Sequence, residues 1–139
     1  MNFLPLLGMP LKSAGIIEVL ERFDMPVTYD FDRLFEGSED LYWSESKPNG
    51  FQFRFDQAQV LDVVFLYVAV RSKFTPIDLA TTDVPSYTSI EEARSTFERS
   101  GQNFKAGDGY IKLLGARHAV HYEFRDGALS LVTLILNKG

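Results

Sequence analysis

Two segments of the sequence, 51–67 and 120–136, resemble each other and align without a gap, their residue numbers differing by 69. In each segment a stretch of alternating apolar and polar residues leads into a short polar turn and then a dense apolar stretch. Two such runs around a turn predict a β-hairpin. Asp126-Gly127 is a strong turn dipeptide, and Asp56-Gln57-Ala58 is a weaker version of the same turn. The repeat therefore constrains the chain to fold around two related hairpins.

A helix is predicted before each hairpin. In the first half Ser13 is a favourable N-cap and Pro26 closes the helical pattern. In the second half Ser89 and Glu92 have the spacing of a capping box, in which each side chain bonds the other residue's backbone N–H. The apolar residues at helical spacing on these two segments are Ile16, Ile17, Leu20, Phe23, Ala93 and Phe97.

Between helix and hairpin each half has one further candidate strand, around residues 40–44 and 109–114. The predicted fold class is α+β, with two α-β-β-β repeats whose antiparallel sheets carry a helix packed on one face. The repeats span residues 7–70 and 86–137 approximately, and a linker at 71–85 joins them into a single domain.

One such unit is marginal alone, because a three-stranded sheet with one helix buries only one of its faces. The runs 60–70 and 129–136 are apolar on both faces of the pleat, which predicts that they lie at the sheet centre. They would be covered by a helix on one side, and by the other half or a partner on the other. The residues expected to be central to the packing are Phe53, Phe55, Val63, Phe65, Tyr122, Phe124, Val132 and Leu134.

Composition narrows the class of protein. Of 139 residues, 45% are hydrophobic and 24% are charged, as in an ordinary folded domain. The net charge of −5 disfavours binding to nucleic acid, and the absence of cysteine excludes disulfides and thiol chemistry. The apolar N-terminus is interrupted by Pro5 and Pro10 and lacks a cationic start, and no apolar run approaches the ~20 residues of a spanning helix. The expected location is the cytoplasm, without membrane contact.

Motifs for catalysis are missing from the sequence. There is no Gly-x-Ser-x-Gly or Ser-x-x-Lys arrangement of a nucleophile. His118 and His121 are three residues apart in a predicted strand, so they should face opposite sides and make poor ligands to one metal ion. We therefore predict a protein that is not an enzyme and has no catalytic residues, metal site or cofactor.

The negative charge is concentrated in residues 18–45, where nine acidic residues stand against two arginines. This segment has a net charge of −7, and the rest of the chain sums to +2. Large aromatic residues alternate with the acids, which suits a surface that attracts and anchors a basic protein. The alternative is a solvated acidic face with its aromatics in the core. The candidate binding residues are Tyr29, Asp30, Asp32, Phe35, Glu36, Glu39, Asp40, Tyr42 and Trp43.

Short motifs along the chain resemble those of small bacterial immunity proteins, which are encoded beside polymorphic toxins of the contact-dependent, Rhs or type VI secretion kinds. The matching stretches are Leu7-Gly-Met-Pro-Leu-Lys-Ser13, Leu20-Glu-Arg-Phe-Asp-Met-Pro26, Gly50-Phe-Gln-Phe-Arg-Phe-Asp56, Val63-Val-Phe-Leu-Tyr67, Val120-His-Tyr-Glu-Phe124 and Leu131-Val-Thr-Leu134. The unit of a helix followed by a β-meander is also similar to the BamE/SmpA-like fold of outer-membrane assembly lipoproteins.

The chain departs from both patterns. Immunity proteins of this type often have Leu-Pro before the second helix and Leu-Gly-x-Pro after it, where this chain has Asp83-Val-Pro85 and Glu98-Arg-Ser-Gly-Gln102. A BamE-like lipoprotein would need a signal peptide and a lipidated cysteine, and the chain contains no cysteine.

The resemblance to immunity proteins implies a cytoplasmic inhibitor that binds one cognate toxin domain, such as a basic nuclease, and occludes its active or functional surface. Whether the free protein forms a homodimer is left open by the sequence. The alternative function is a small-ligand-binding or enzyme module with a pocket between the two α-β-β-β halves.

Overall fold

The computed structural model of the protein describes residues 1–30 and 39–138. It is an α+β protein, as predicted, with one antiparallel sheet of eight strands and two α-helices. The helices are α1 (Ala14–Arg22) and α2 (Ile90–Arg99). The strands are β1 (Val27–Asp30), β2 (Leu41–Ser46), β3 (Phe51–Phe55), β4 (Leu61–Tyr67), β5 (Phe104–Gly107), β6 (Tyr110–Leu114), β7 (His118–Arg125) and β8 (Ala128–Leu136). Short 3₁₀ turns lie at Leu4–Leu6, Lys47–Asn49 and Leu79–Thr81.

In residues 1–30 and 39–138 each helix is followed by four strands, one more than the three predicted for each half. The additional strands, β1 and β5, are four residues long and have the sequences VTYD and FKAG. Neither has the length or the density of apolar residues that marks a strand in a sequence. They form because each pairs with the next strand along the chain, at opposite edges of the described sheet.

Both predicted hairpins are present, as β3–β4 and β7–β8. Asp126 and Gly127 have φ values of +52° and +78°, the left-handed conformations that a two-residue hairpin turn requires at both central positions. The first hairpin has a longer turn, in which the Asp56 carboxylate accepts hydrogen bonds from the N–H groups of Ala58 and Val60. Asp56-Gln57-Ala58 is therefore not a version of the Asp126-Gly127 turn.

The gapless alignment of the two hairpins is wrong in their second strands. In the first hairpin Phe55 pairs with Leu61, and residues 56–60 lie between them. In the second the equivalent pair is Phe124 and Leu129, and only residues 125–128 lie between them. The first connection is thus one residue longer. The residue of β4 that corresponds to Val132 of β8 is therefore Val64 and not Val63. Val64 and Val132 are both fully buried. A shift of one residue exchanges the faces of a strand, so this correction also changes the predicted core.

The sheet order is β1-β2-β3-β4-β8-β7-β6-β5. The last strand of each half, β4 or β8, therefore lies at the centre, where Val63–Tyr67 pair with Leu131–Ile135. This confirms the central position predicted for the two apolar runs, and it makes the two halves one continuous sheet.

One face of the sheet, called here the core face, packs against both helices. Phe53 and Tyr122 on this face belong to the same hydrophobic cluster as Ile16 of α1 and Phe97 of α2. Seven of the eight residues predicted to be central are buried: Phe53, Phe55, Val63, Tyr122, Phe124, Val132 and Leu134. The eighth, Phe65, is only partly buried.

The opposite face, called the outer face, includes Val63 and Phe65. Val63 pairs with Arg54 and Phe65 with Gln52, and directly paired residues point to the same side of a sheet. Val63 is buried at 6% exposure but does not belong to the cluster that contains the helices. The alignment of Val63 with Val132 and of Phe65 with Leu134 was therefore wrong, for the one-residue reason given above: Val132 and Leu134 lie on the core face, whereas Val63 and Phe65 lie on the outer face.

The segment predicted as a linker packs against the N-terminus. The Asp83 carboxylate accepts hydrogen bonds from the N–H groups of Phe3 and Leu4, at 2.8 and 3.0 Å. Leu79 and Val84 are buried in the core. The connection between the halves thus contributes to the cover of the core face.

Phe55→Ala should lower the free energy of unfolding by about 3 to 5 kcal/mol, because it empties a fully buried site in the core. Phe65→Ala removes the same atoms from the outer face and should cost clearly less. Urea denaturation of the two variants measures the difference. Equal losses would contradict the assignment of the two faces.

Candidate functional site

The structure places six of the nine predicted binding residues, all of them on and beside the edge of the sheet. Tyr29 and Asp30 end β1, Glu39 and Asp40 precede β2, and Tyr42 and Trp43 belong to β2. The remaining three, Asp32, Phe35 and Glu36, lie outside the described residues.

The pairing of β1 with β2 divides these residues between two faces. Tyr29 lies opposite Tyr42, with ring centroids 5.0 Å apart, and Tyr42 packs against the core cluster. Trp43 points to the outer face, where its ring stacks on Phe65 at 6.2 Å and 22°. Tyr42 therefore packs in the core, as the alternative interpretation of the acidic segment expects, whereas Trp43 is accessible at a surface.

A groove of about 360 Å³ lies at this edge of the sheet. It is lined by residues of β1, β2 and β3 and of the turn before β1: Pro26, Thr28, Tyr29, Asp30, Trp43, Ser44, Glu45 and Gln52. Among these, the Asp30 and Glu45 carboxylates provide negative charge and the Trp43 indole provides an aromatic surface. With Tyr29, the groove therefore brings together four of the acidic and aromatic residues that the sequence concentrates in the segment 18–45.

Glu45 and Gln52 were not among the predicted binding residues. The signal for Glu45 was its position two residues after Trp43, because alternate residues of a strand share a face. Glu45 forms an ion pair with Lys47 at 3.5 Å, and both side chains are almost half exposed. Exposed pairs of this kind contribute little to stability, so the Glu45 carboxylate stays accessible to another cation.

The chemistry of this groove suits a cationic side chain. A guanidinium or ammonium group can pair with Asp30 or with Glu45, or lie against the face of the Trp43 indole, which attracts cations. In residues 1–30 and 39–138 no group of three or more His, Asp or Glu side chains is placed to hold a metal ion.

The two histidines of β7 lie on opposite faces of the sheet, as predicted from their spacing. Burial lowers the pKa of His121, and the neighbouring Lys112 lowers it further. The His121 ring also stacks on Tyr110, with ring centroids 5.0 Å apart. His118 faces the other way, and its Nδ1 is buried without a hydrogen-bond partner among the described residues.

Three further grooves bear on the alternative of a ligand pocket between the halves. A groove of about 340 Å³ involves β6, β7 and the end of α2, and includes His118. Another, of about 580 Å³, is lined by residues 78–86, and one of about 120 Å³ lies beside Phe3 and Phe51. We call the groove of about 360 Å³ at the β1 edge the acidic groove. Neither the acidic groove nor any of these three grooves lies between the two halves.

A network of four charged side chains on the first hairpin is structural. Arg54 donates to both oxygens of Asp62, at 3.2 and 2.8 Å, and Lys138 donates to Asp62 at 2.8 Å and to Asp56 at 2.9 Å. Asp62 is only 2% exposed. A buried carboxylate is costly unless its oxygens are paired, and here both oxygens are. Burial raises the pKa of Asp56, but hydrogen bonds from Val60 N–H and from Lys138 outweigh this, and the net shift is downward.

Lys138→Met should lower the free energy of unfolding at pH 7 by about 1 kcal/mol, since Asp62 and Asp56 each lose a cationic donor. The pKa of Asp56 is lower in the folded protein than its ordinary value of 3.8. Its contribution is therefore present above pH 3.8 and is lost as the pH falls through the folded pKa. The difference between variant and wild type should shrink below about pH 4.

Lys12→Met is the matched control, because it removes the same charge from an exposed residue. Urea denaturation at pH 7 and at pH 3 tests both variants. A difference for Lys138→Met that is the same at the two pH values would contradict the assigned role of Asp56.

Comparison of the chain with models of protein families, with curated proteins and with solved structures gave no match. In the part of the chain that the structure describes, neither helix has the length and apolar character needed to cross a membrane.

Proposed function

We propose that this protein is a non-enzymatic immunity protein, which binds a cognate bacterial toxin domain in the cytoplasm and occludes its active or functional surface. The observation that carries the proposal is the acidic groove at the sheet edge, in which Asp30, Glu45 and Trp43 share one accessible site. The resemblance of the sequence to immunity proteins supports the same function.

The proposed partner is a toxin domain with a basic surface, such as a nuclease whose cleft binds phosphates. An acidic inhibitor gains association rate against such a target, because opposite charges steer the two proteins together. Trp43 supplies the large aromatic anchor that carries much of the energy of an interface. Asp32, Phe35 and Glu36 are binding residues predicted from the sequence alone, and they lie outside the described residues. Nucleic acid and membranes are not among the proposed partners.

The double variant Asp30→Lys with Glu45→Lys should associate with the toxin at least about tenfold more slowly, and its association should depend less on salt. Trp43→Ala should instead raise the dissociation rate by about tenfold or more. Binding kinetics at two ionic strengths, using the toxin domain encoded by the adjacent gene, measure both effects.

Glu98→Lys is the control for added positive charge, because Glu98 is exposed on α2 and far from the groove in the fold. Melting curves show whether each variant is folded. If the folded double-lysine variant associates as fast as wild type, the acidic groove is not the toxin-binding site.

A small-ligand-binding module is the second candidate function. The observation in its favour is the groove beside His118, whose buried Nδ1 has no hydrogen-bond partner in the part of the chain that the structure describes. The double variant His118→Gln with His121→Gln separates the two functions. An immunity protein should protect cells from the toxin equally well with these substitutions, as measured by growth during toxin expression. Loss of protection in a folded variant would favour the ligand-binding function.

We also propose that the two halves are structural repeats related by an approximate two-fold axis. The support is that each half has one helix followed by four strands, and that each hairpin has a register irregularity at the same place, between Arg54 and Phe55 and between Glu123 and Phe124. The unit is then α-β-β-β-β and not the α-β-β-β expected from the sequence.

A further inference from the structure

Seven residues form a continuous row across the outer face, and each lies directly opposite the next on the neighbouring strand. From β2 to β5 the row is Glu45, Gln52, Phe65, Thr133, His121, Lys112 and Lys105. It is acidic at one end, cationic at the other and uncharged in the middle. We call it the charged row.

A second row runs beside the first and is mostly apolar. From β2 to β6 it contains Trp43, Arg54, Val63, Ile135, Ala119 and Leu114. Leu114, at its far end, is one of the few large apolar residues that are more than 40% exposed. We call this the apolar row. The next row on the other side of the charged row is partly covered, because Phe74 stacks on Tyr67 at 4.0 Å.

We propose that a second copy of this chain covers the outer face, in a dimer whose two-fold axis runs parallel to the strands above the junction of β4 and β8. Such an axis places β2 of one copy over β6 of the other, and β3 over β7. The reason is that β2 and β6 are equally far from the centre of the sheet, as are β3 and β7. Sheets commonly pack face to face with their strands nearly aligned, about 10 Å apart.

In this dimer each row faces the same row of the other copy, running in the opposite direction across the sheet. Glu45 of each copy lies over Lys112 of the other, so the interface contains two opposite-charge contacts related by symmetry. Trp43 of each copy likewise lies over the exposed Leu114 of the other. Val63 lies over Ile135 at the centre. Because the charged row is acidic at one end and cationic at the other, a two-fold axis at its centre brings opposite charges together at both ends.

The cationic end of the charged row supplies an independent reason for an acidic neighbour. Lys105 lies directly opposite Lys112. Like charges in directly opposite positions are unfavourable in a sheet. A carboxylate brought by a second copy would relieve this repulsion, and Glu45 is the acidic group at the mirrored position.

The size of the contact suits a weak dimer. Eight strands spaced ~4.8 Å apart make a face about 35 Å wide, of which two rows of residues would meet the second copy. Val63 and Ala119 of the apolar row are already only 6% and 3% exposed, so the ends of the rows carry most of the contact. So small an interface belongs to the weak class, and we expect a dissociation constant in the micromolar range.

This inference does not depend on the proposed function, although the two proposals share the residues Trp43 and Glu45. A toxin that occupied the acidic groove would compete with the second copy for the outer face. Sedimentation of the protein alone tests the dimer, whereas toxin binding tests the function, so failure of one is distinguishable from failure of the other.

The decisive experiment is a charge swap measured by sedimentation velocity. Wild type should dimerise in the micromolar range, more weakly at high salt. Glu45→Lys and Lys112→Glu should each raise the dissociation constant of the homodimer at least about tenfold, because each places like charges together at both symmetric contacts. An equimolar mixture of the two variants should restore association to within about threefold of wild type, since both contacts are then of opposite charge.

Glu98→Lys and Arg94→Glu are the matched controls, because they change the same charges at exposed residues of α2 and should dimerise like wild type. Trp43 is the only tryptophan and provides a second readout. Its emission in the wild type should move to shorter wavelength as the protein concentration rises through the dimer range.

Three results would each overturn the proposal. The first is a wild-type protein that stays monomeric up to about 100 µM, an ample concentration for a micromolar dissociation constant. The second is a pair of single variants that dimerise as wild type does. The third is a mixture of folded variants that fails to recover association, which would show that Glu45 and Lys112 do not meet across a two-fold axis.

Discussion

The pairing of β4 with β8 is the interaction on which the rest of the structure depends. Each half, as the structure describes it, has four strands and one helix, and alone its innermost strand, β4 or β8, would present an unpaired edge. The contact between Val63–Tyr67 and Leu131–Ile135 removes both of these edges and creates a sheet wide enough to carry a shared core. Ile16 of α1 and Phe97 of α2 can then belong to one hydrophobic cluster. The halves are therefore parts of one domain in physical terms.

A consequence of this arrangement is that the two faces of the sheet have different roles. The helices, the N-terminus and the connection between the halves all contribute to the core face. The outer face carries the accessible aromatic and charged side chains, with Trp43 and Glu45 at one edge and Lys105 and Lys112 at the other. Both proposals, the toxin-binding groove and the dimer, draw on this asymmetry. Binding at the outer face leaves the hydrophobic core undisturbed.

The charged residues divide in a similar way. Asp62 is buried and accepts from both Arg54 and Lys138, so its charge is balanced within the fold and contributes to holding the C-terminal segment against the first hairpin. Asp30 and Glu45 lie at a surface, where Glu45 has only a weak exposed ion pair. Charge that is compensated internally stabilises a fold, whereas charge that is left accessible can act on a partner.

The sequence by itself determined the α+β class, the two hairpins, the Asp126-Gly127 turn and the central place of two apolar strands, because these follow from local turn chemistry and from the period of the apolar residues. It could not determine β1 and β5, since four-residue strands are stable only through pairing with a neighbour. It also aligned Val63 with Val132, which lies on the opposite face, because a turn longer by one residue reverses every later side chain. For the candidate site, acidic and aromatic character was predictable from the segment 18–45. Tertiary structure alone decided that Tyr42 joins the core while Trp43 shares a groove with Glu45, because strand pairing assigns alternate residues to opposite faces and only one of those faces is covered by the helices.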